Sequence, residues 1–195
     1  MRIIITILFL SVSFFGNTQL FDSIQASFKH KPKPLLKLET RNSFITSKVV
    51  IVRGLKVGLS FNKTSRIGLS YNWLKRKTLI VTADSSTLKM NYISPFYEYT
   101  FYRDKHFTLA IPILIGFGNS KYVSKEGSTY AKSFIMAYEP GMTFEYRFLR
   151  YLGIGTGVGL RLMLKDNPQI KEQLNSPVYI FKFKIYFDQI IEDLS

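Results

Sequence analysis

Most of the chain after residue 33 alternates between apolar and polar positions with a period of two. Leu55, Val57, Leu59 and Phe61, for example, are separated by small or polar residues. Strict alternation is typical of a β-strand whose two faces meet different surroundings. The pattern occurs eight times, over residues 36–44, 55–61, 67–73, 93–101, 107–117, 134–146, 152–164 and 179–187. We therefore predict eight strands of roughly the 9–11 residues with which a strand crosses a membrane.

Three prolines interrupt these predicted strands. Pro95, Pro112 and Pro140 each lie in the middle of an alternating segment. Proline lacks the N–H group that a sheet ladder needs, so it is normally confined to edges and bulges. We therefore expect a bulge or a local bend at each of the three positions.

The two faces of the predicted strands differ sharply in charge. A soluble two-sheet sandwich would turn its charged face to water, whereas a membrane barrel would turn it into the lumen. Four glycines on the polar face of residues 152–164 favour the barrel, because a narrow lumen needs small residues opposite large ones. We predict an all-β fold, an eight-stranded antiparallel up-and-down transmembrane β-barrel, and keep the sandwich as the alternative. The charged residues assigned to the lumen are Lys37, Glu39, Arg41, Lys56, Arg66, Glu98, Glu139, Glu145, Arg161, Lys182 and Lys184.

The connections between strands alternate in length, except that the first outer loop, near residues 46–48, is short. Short ones are expected at residues 62–65, 103–106 and 147–150, and longer polar ones near 79–88, 121–132 and 165–176. Outer-membrane barrels have short periplasmic turns and longer outer loops. Aromatic residues at the strand ends suit the two membrane interfaces. We assign Phe61, Tyr102, Phe107, Tyr146, Phe148 and Tyr151 to one girdle, and Tyr71, Trp73, Tyr92, Tyr122, Tyr130 and Tyr179 to the other.

The first residues have the parts of a secretory signal peptide. Arg2 precedes thirteen uncharged, mostly apolar residues, and small or polar residues follow at 16–19. The alternative is a buried N-terminal strand or short helix. We therefore divide the chain into a signal peptide (1–19), a periplasmic N-terminal segment (20–33), the barrel (34–188) and a C-terminal tail (189–195).

Composition removes several classes of chemistry. The chain has no cysteine, which excludes a disulfide scaffold, a thiolate metal site and a thiol nucleophile. Its two histidines provide little material for a zinc or acid–base site, and no His, Asp and Glu cluster has the spacing of metal ligands. We expect no cofactor and no metal.

These features together resemble a known class of proteins. A signal peptide, eight alternating strands, three short basic and aromatic turns and the lack of cysteine are similar to small outer-membrane β-barrel proteins, above all the Lys- and Tyr-rich type of Bacteroidota-type bacteria. The resemblance implies an outer-membrane location and a closed barrel. The last strand, with Phe181, Phe183, Ile185 and Phe187, resembles the C-terminal strand that barrel assembly machinery recognises. Some barrels of this size are lipid-modifying enzymes that need a serine near a histidine, but Thr108 stands near His106 here, so we expect no enzyme.

Two functional classes remain open at this point. The eleven lumenal charges can pair into a plug or line a conducting pore, and eight strands leave an interior that side chains can fill. We expect a structural or interaction role at the cell envelope. The alternative is a barrel that transports or binds lipids or small molecules, including a soluble lipocalin-like carrier.

The net charge of +14 raises the question of anionic partners. Basic residues gather at the strand ends, where they can attract anionic outer-membrane lipids, including lipopolysaccharide, or simply extend into water. Nucleic acid is a poor partner, because the basic residues do not share one face with aromatic stacking partners. The predicted basic rim near the short turns is Lys29, Lys31, Lys33, Lys63, Arg103, Lys105, Arg147 and Arg150.

Overall fold

Eight antiparallel strands form a closed barrel in the computed structural model, which describes residues 21–45, 48–75, 87–124, 127–165 and 174–185. Each strand pairs with its neighbours in the chain, and the last strand closes the barrel on the first, with Leu38 opposite Phe183. The predicted up-and-down barrel is confirmed. The strands are β1 (Lys33–Ile45), β2 (Lys48–Phe61), β3 (Ser65–Leu74), β4 (Thr87–Arg103), β5 (Phe107–Val123), β6 (Thr129–Arg147), β7 (Leu152–Lys165) and β8 (Ser176–Ile185).

The apolar face of every strand points outward. Leu69, Val158 and Phe181 are more than half exposed, at 54%, 58% and 54% of their surface. The charged face points into the barrel, where water is displaced by other side chains. A soluble sandwich would have to expose the charged face and bury the apolar one, so that alternative is wrong. The outer surface instead suits the hydrocarbon core of a bilayer.

The three prolines interrupt the ladder without shifting its register. The β4–β5 pairs Ile93–Phe117 and Phe96–Leu114 lie on either side of Pro95 and keep one register, and the same holds beside Pro112 and Pro140. Of the bulge or local bend that we expected, the bulge is therefore absent at all three prolines, because a missing N–H removes a hydrogen bond to one neighbouring strand only. Register shifts occur elsewhere, between Thr100 and Tyr102, Ser120 and Tyr122, and Met136 and Ala137.

The longest strands are β4, β5 and β6, which are neighbours in the barrel wall. These strands have 17, 17 and 19 residues, against 10 to 14 for the others. The loop expected at residues 121–132 is therefore shorter, because β5 continues to Val123 and β6 begins at Thr129.

We call the end of the barrel with turns 62–64, 104–106 and 148–151 the short-turn end, and the opposite end the long-loop end.

Residues 21–28 form a short helix at the short-turn end. The Ser27 hydroxyl is buried and donates a hydrogen bond to Ser65 Oγ at 2.7 Å, and the Phe28 ring lies 4.8 Å from that of Phe61. Within the described part of the chain, no helix is long and apolar enough to cross a membrane. The predicted signal peptide (1–19), the tail (189–195) and residues 186–188 of the predicted barrel lie outside the described residues.

The aromatic girdles are only partly as expected. Tyr102, Phe107, Phe148 and others around the short turns are exposed on the outer surface. Tyr92 and Tyr122, which we assigned to the second girdle, are instead buried at 2% and 4% exposure. They share the inward parity of their strands, and the barrel interior at this level has room for large side chains.

Candidate functional site

The eleven charged residues assigned to the lumen all lie inside the barrel. Each is buried, with between 0% and 5% of its surface exposed. Strand alternation explains this placement, since residues two apart in a strand point to the same side. The lumen is therefore the candidate site, and the contacts among its charges define what it can do.

One group of charges gathers around Glu98 of β4. Lys37 Nζ lies 2.7 Å from Glu98 Oε1, and Lys182 Nζ lies 3.3 Å from Glu98 Oε2. The Arg66 guanidinium also donates a hydrogen bond to Glu98. One carboxylate thus binds three cationic side chains from β1, β3 and β8.

Glu145 of β6 links the same group to the short-turn end. Its oxygens lie 2.7 Å from Lys37 Nζ and 3.1 Å from Lys184 Nζ. Lys182 Nζ is 3.6 Å away and also donates a hydrogen bond of 3.0 Å to Thr143 Oγ1. Because Lys37 touches both Glu98 and Glu145, the contacts form one continuous network.

Glu39 of β1 adds Lys56 of β2 to this network. Lys56 Nζ lies 2.8 Å from Glu39 Oε1, and Lys182 Nζ lies 3.7 Å from the same oxygen. Lys56 also lies 5.1 Å from the centre of the Phe96 ring, which packs with Leu114 in a small apolar cluster. The lysine stem and the aromatic ring together fill space that the charges leave.

A second group of charges surrounds Glu139. Arg161 Nε donates to Glu139 Oε1 at 2.6 Å, the Tyr92 hydroxyl donates to the same oxygen at 2.7 Å, and the Arg41 guanidinium also donates to this carboxylate. Arg41 donates a further hydrogen bond to the Asn72 side chain. Two arginines from β1 and β7 therefore hold one carboxylate of β6 across the lumen.

Sequence reasoning did not find Tyr92 and Asn72 as members of this network. Asn72 lies on the same face as Arg66, and Tyr92 on the same face as Glu98, so strand parity alone was enough to place both inside. Both were missed because only charged residues were assigned to the lumen. Tyr92 was assigned to the second aromatic girdle instead.

An apolar layer fills the lumen toward the long-loop end. Its buried side chains come from β2 through β6 and from Leu174 next to β8. A gap that borders Glu39 and Glu139 on one side and residues of β5 to β8 on the other has a volume of only about 10 Å³. That is about the space of one water molecule. The layer consists of Val50, Val52, Leu74, Leu88, Met90, Tyr92, Tyr122, Ile135 and Leu174.

The short-turn end is open, in contrast. A cavity of about 730 Å³, which we call the mouth cavity, lies between residues 30–35, the short turns and the lumenal network. Asp104 is the one carboxylate among the described residues that line it. His30 and His106 also line it, but the described residues contain no group of three or more His, Cys, Asp or Glu side chains placed to hold a metal. The cations at its opening are Lys31, Lys33, Lys63, Arg103, Lys105 and Arg147, and the buried Arg66 and Lys184 lie at its inner end.

Comparison by sequence finds no relative. No family model matches the chain, and no curated protein matches it.

Comparison by structure gives a consistent result. The barrel of Neisserial surface protein A (NspA) matches with a TM-score of 0.63 at 12% identity, over 80% of this chain and 99% of that one. The N-terminal β-barrel domain of Pseudomonas aeruginosa OprF matches with a TM-score of 0.55 at 11% identity, over 80% and 98%. Ail, the attachment invasion locus protein of Yersinia pestis, matches with a TM-score of 0.53 at 12% identity, over 80% and 98%, in its complex with the heparin analogue sucrose octasulfate. The chain therefore has the fold of the small outer-membrane β-barrels.

Proposed function

We propose that this protein is a non-enzymatic barrel of the outer membrane whose lumen is plugged and which serves a structural or interaction role at the cell envelope. The observation that carries the proposal is the filled interior. The eleven charged side chains and the apolar layer are buried inside the barrel, and the gap that borders Glu39 and Glu139 has a volume of only about 10 Å³. Among the described buried side chains, the nitrogen and oxygen atoms without a hydrogen-bond partner are Arg41 Nε, Thr100 Oγ1 and Ser124 Oγ.

The proposal includes an orientation and a route of export. Barrels of this class have short periplasmic turns and longer outer loops, which supports placing the short-turn end in the periplasm. Residues 1–19 have the composition of a signal peptide, which supports export. The Lys- and Tyr-rich composition supports the Bacteroidota type, and the aromatic residues of the last strand support recognition by the barrel assembly machinery.

The transport alternative receives less support from the geometry. A lipocalin-like carrier needs an apolar interior and a polar exterior, but Leu69 and Phe181 are exposed outside while Glu98 and Lys37 are buried inside. A conducting pore needs a continuous path, and the buried side chains of the apolar layer support a closed lumen instead. Anionic outer-membrane lipids, including lipopolysaccharide, stay proposed partners of the basic strand ends. The Ail complex with a sulfated sugar supports looking for anionic partners in barrels of this fold.

The test is a conductance measurement on the purified barrel in planar lipid bilayers. We expect no steady ion conductance and no swelling of proteoliposomes in small sugars, because ions and sugars meet the filled lumen. Conductance from a contaminating pore would be the same in every variant of this barrel. We therefore compare two variants, Glu139→Gln in the lumen and Asp22→Asn on the N-terminal helix. A conductance whose ion selectivity changes in Glu139→Gln but not in Asp22→Asn would show that ions pass through the lumen, and would contradict the proposal.

A further inference from the structure

The mouth cavity concentrates positive charge in a concave space. Six cationic side chains surround its opening, and Asp104 is the one carboxylate among the described lining residues. A cleft lined by charges of one sign focuses the electric field and raises the local concentration of oppositely charged ligands. The cavity volume of about 730 Å³ lies within the roughly 300–1,000 Å³ of typical small-molecule sites.

Two arginines of the cavity are held in place by backbone carbonyls. Arg103 Nη1 donates to the Asn62 carbonyl at 3.2 Å, and Arg147 Nη2 donates to the Lys105 carbonyl at 3.0 Å. Each guanidinium therefore ties the end of its strand to a neighbouring short turn. For Arg103, the carbonyl contact fixes the position of the guanidinium without neutralising its charge, and a guanidinium has five N–H donors in all.

The interior behind the cavity does not balance this charge. Among the eleven lumenal residues, seven are basic and four are acidic. Arg66 and Lys184 line the cavity and contact Glu98 and Glu145, so the network itself reaches the cavity with a cationic surplus. The field at the opening is thus reinforced from inside.

The position of the cavity favours a soluble ligand over a lipid headgroup. The lining cations, including Lys63 and Arg103, surround a space inside the barrel rim that is bordered by the short turns and by residues 30–35. A lipid whose acyl chains stay in the bilayer has its headgroup outside the barrel wall, where exposed aromatic residues such as Phe148 lie.

We propose that the mouth cavity binds a soluble multivalent anion with closely spaced phosphate or sulfate groups. Guanidinium groups bind such oxyanions in bidentate geometry, and lysines add point charges around them. Given the proposed orientation, the ligand enters from the periplasm. This binding function goes beyond the proposed envelope role and does not depend on whether the lumen conducts.

The experiment is isothermal titration calorimetry on the folded barrel in a zwitterionic detergent at low salt. The ligands are inorganic phosphate, pyrophosphate, tripolyphosphate and citrate. We expect tripolyphosphate to bind about tenfold more tightly than phosphate, because one further charged contact is sufficient for such a change. Binding is expected to weaken as salt is added. Equal affinity for phosphate and tripolyphosphate would overturn the multivalent site, and citrate binding as tightly as tripolyphosphate would overturn the choice of phosphate or sulfate.

Matched variants separate the cavity from general surface charge. Arg103→Gln with Arg147→Gln is expected to weaken tripolyphosphate binding by about tenfold or more. Lys29→Gln with Arg150→Gln removes the same charge from the same end of the barrel, but from residues that do not line the cavity. Equal weakening in the two pairs would contradict the proposal.

A second pair of substitutions in the mouth cavity keeps the test valid if the arginine variants misfold. Lys31→Gln with Lys105→Gln changes two exposed side chains of the same cavity, and we expect it to weaken binding as well. Folding of every variant is checked by the change in gel mobility on heating. Unchanged binding in this pair, together with unchanged binding in the arginine pair, would overturn the assignment to the mouth cavity.

A final comparison distinguishes a soluble ligand from a lipid headgroup. The barrel is placed in nanodiscs of phosphatidylcholine alone or with phosphatidylglycerol. We expect the ratio of tripolyphosphate affinities between the native protein and the arginine pair to be the same in both. A ratio that falls to one with phosphatidylglycerol would mean that the lipid headgroup occupies the cavity, and would overturn the proposal of a soluble ligand.

Discussion

At the scale of single residues, Glu98 has the most demanding surroundings. Its carboxylate binds Lys37, Arg66 and Lys182, and neither Glu98 nor the ends of the lysines contact water. Burying charges is costly unless each is compensated, so the network is stable only as a set. The loss of one shared carboxylate therefore affects three cations at once.

We expect Glu98→Gln to lower the free energy of unfolding by about 3–5 kcal/mol, because it leaves buried cations without their counter-charge. The measurement is urea unfolding of the barrel in lipid vesicles, followed by the fluorescence of Trp73. Asp22→Asn, which changes an exposed carboxylate on the N-terminal helix, is the control and should have little effect. A loss below about 1 kcal/mol, the scale of an exposed pair, would show that the lumen is hydrated instead of filled.

Much of the site at this scale was predictable, and the reason is the strand period. Parity alone places Lys37, Glu98 and Arg161 inside, since each lies on the face opposite large apolar residues. The pairing was not predictable, because partners such as Arg41 and Glu139 lie 98 positions apart and meet only across the closed lumen.

At the scale of elements, the glycines on one face of β7 determine how closely β7 approaches β6. A Cβ atom at Gly157 would lie 2.5 Å from the Met142 carbonyl oxygen and 2.6 Å from Thr143 Cγ2. Such distances are shorter than van der Waals contact, so β6 and β7 approach each other closely only because this position has no side chain. The glycine pattern that favoured a barrel in the sequence thus has a steric explanation.

We expect Gly157→Ala to destabilise the barrel by about 1–3 kcal/mol, the usual cost of overpacking, because the β6 backbone must move. The measurement is the temperature at which the folded band converts to the unfolded band on a gel. Gly141→Ala is the matched control, since its nearest neighbour would lie at 3.0 Å, and we expect it to have the smaller effect. If the two variants lower this temperature equally, the shorter contact at Gly157 is not the cause.

The ends of elements were harder to predict than their existence. The sequence near Tyr122 and Ala131 is polar enough to suggest a loop, yet Tyr122 is buried in the apolar layer and Ala131 packs against it. Tertiary contacts inside the barrel extend β5 and β6 beyond the alternation that is visible locally. The prolines suggested bulges that the register does not show. A missing N–H affects the pairing with only one of the two neighbouring strands.

At the scale of the whole molecule, the barrel is built with its apolar surface outside. Val158 and Leu160 of β7 are 58% and 51% exposed in the middle of a strand, where a soluble protein would place polar residues. This surface is stable only against hydrocarbon. The sequence predicted it because both faces of each strand could be compared over the whole chain.

We expect Val158→Lys to lower the stability of the membrane-inserted barrel by about 2–4 kcal/mol, because the charge lies near the bilayer midplane. Leu149→Lys is the matched control, since Leu149 is similarly exposed but belongs to a short turn. The two variants are compared by urea unfolding in vesicles of the same lipid. A similar loss of stability in both would mean that depth in the membrane is not what sets the cost.

The closure of β8 on β1 has a consequence for the order of assembly. Lys182 and Lys184 arrive on the last strand, and their partners Glu98 and Glu145 lie on β4 and β6. Arg41, on the first strand, needs Glu139 of β6. A partly built sheet therefore carries charges that have not yet met their partners, and hydrocarbon repels it until the final seam is formed. We therefore expect neutralisation of these charges and membrane insertion to be completed together, when β8 pairs with β1.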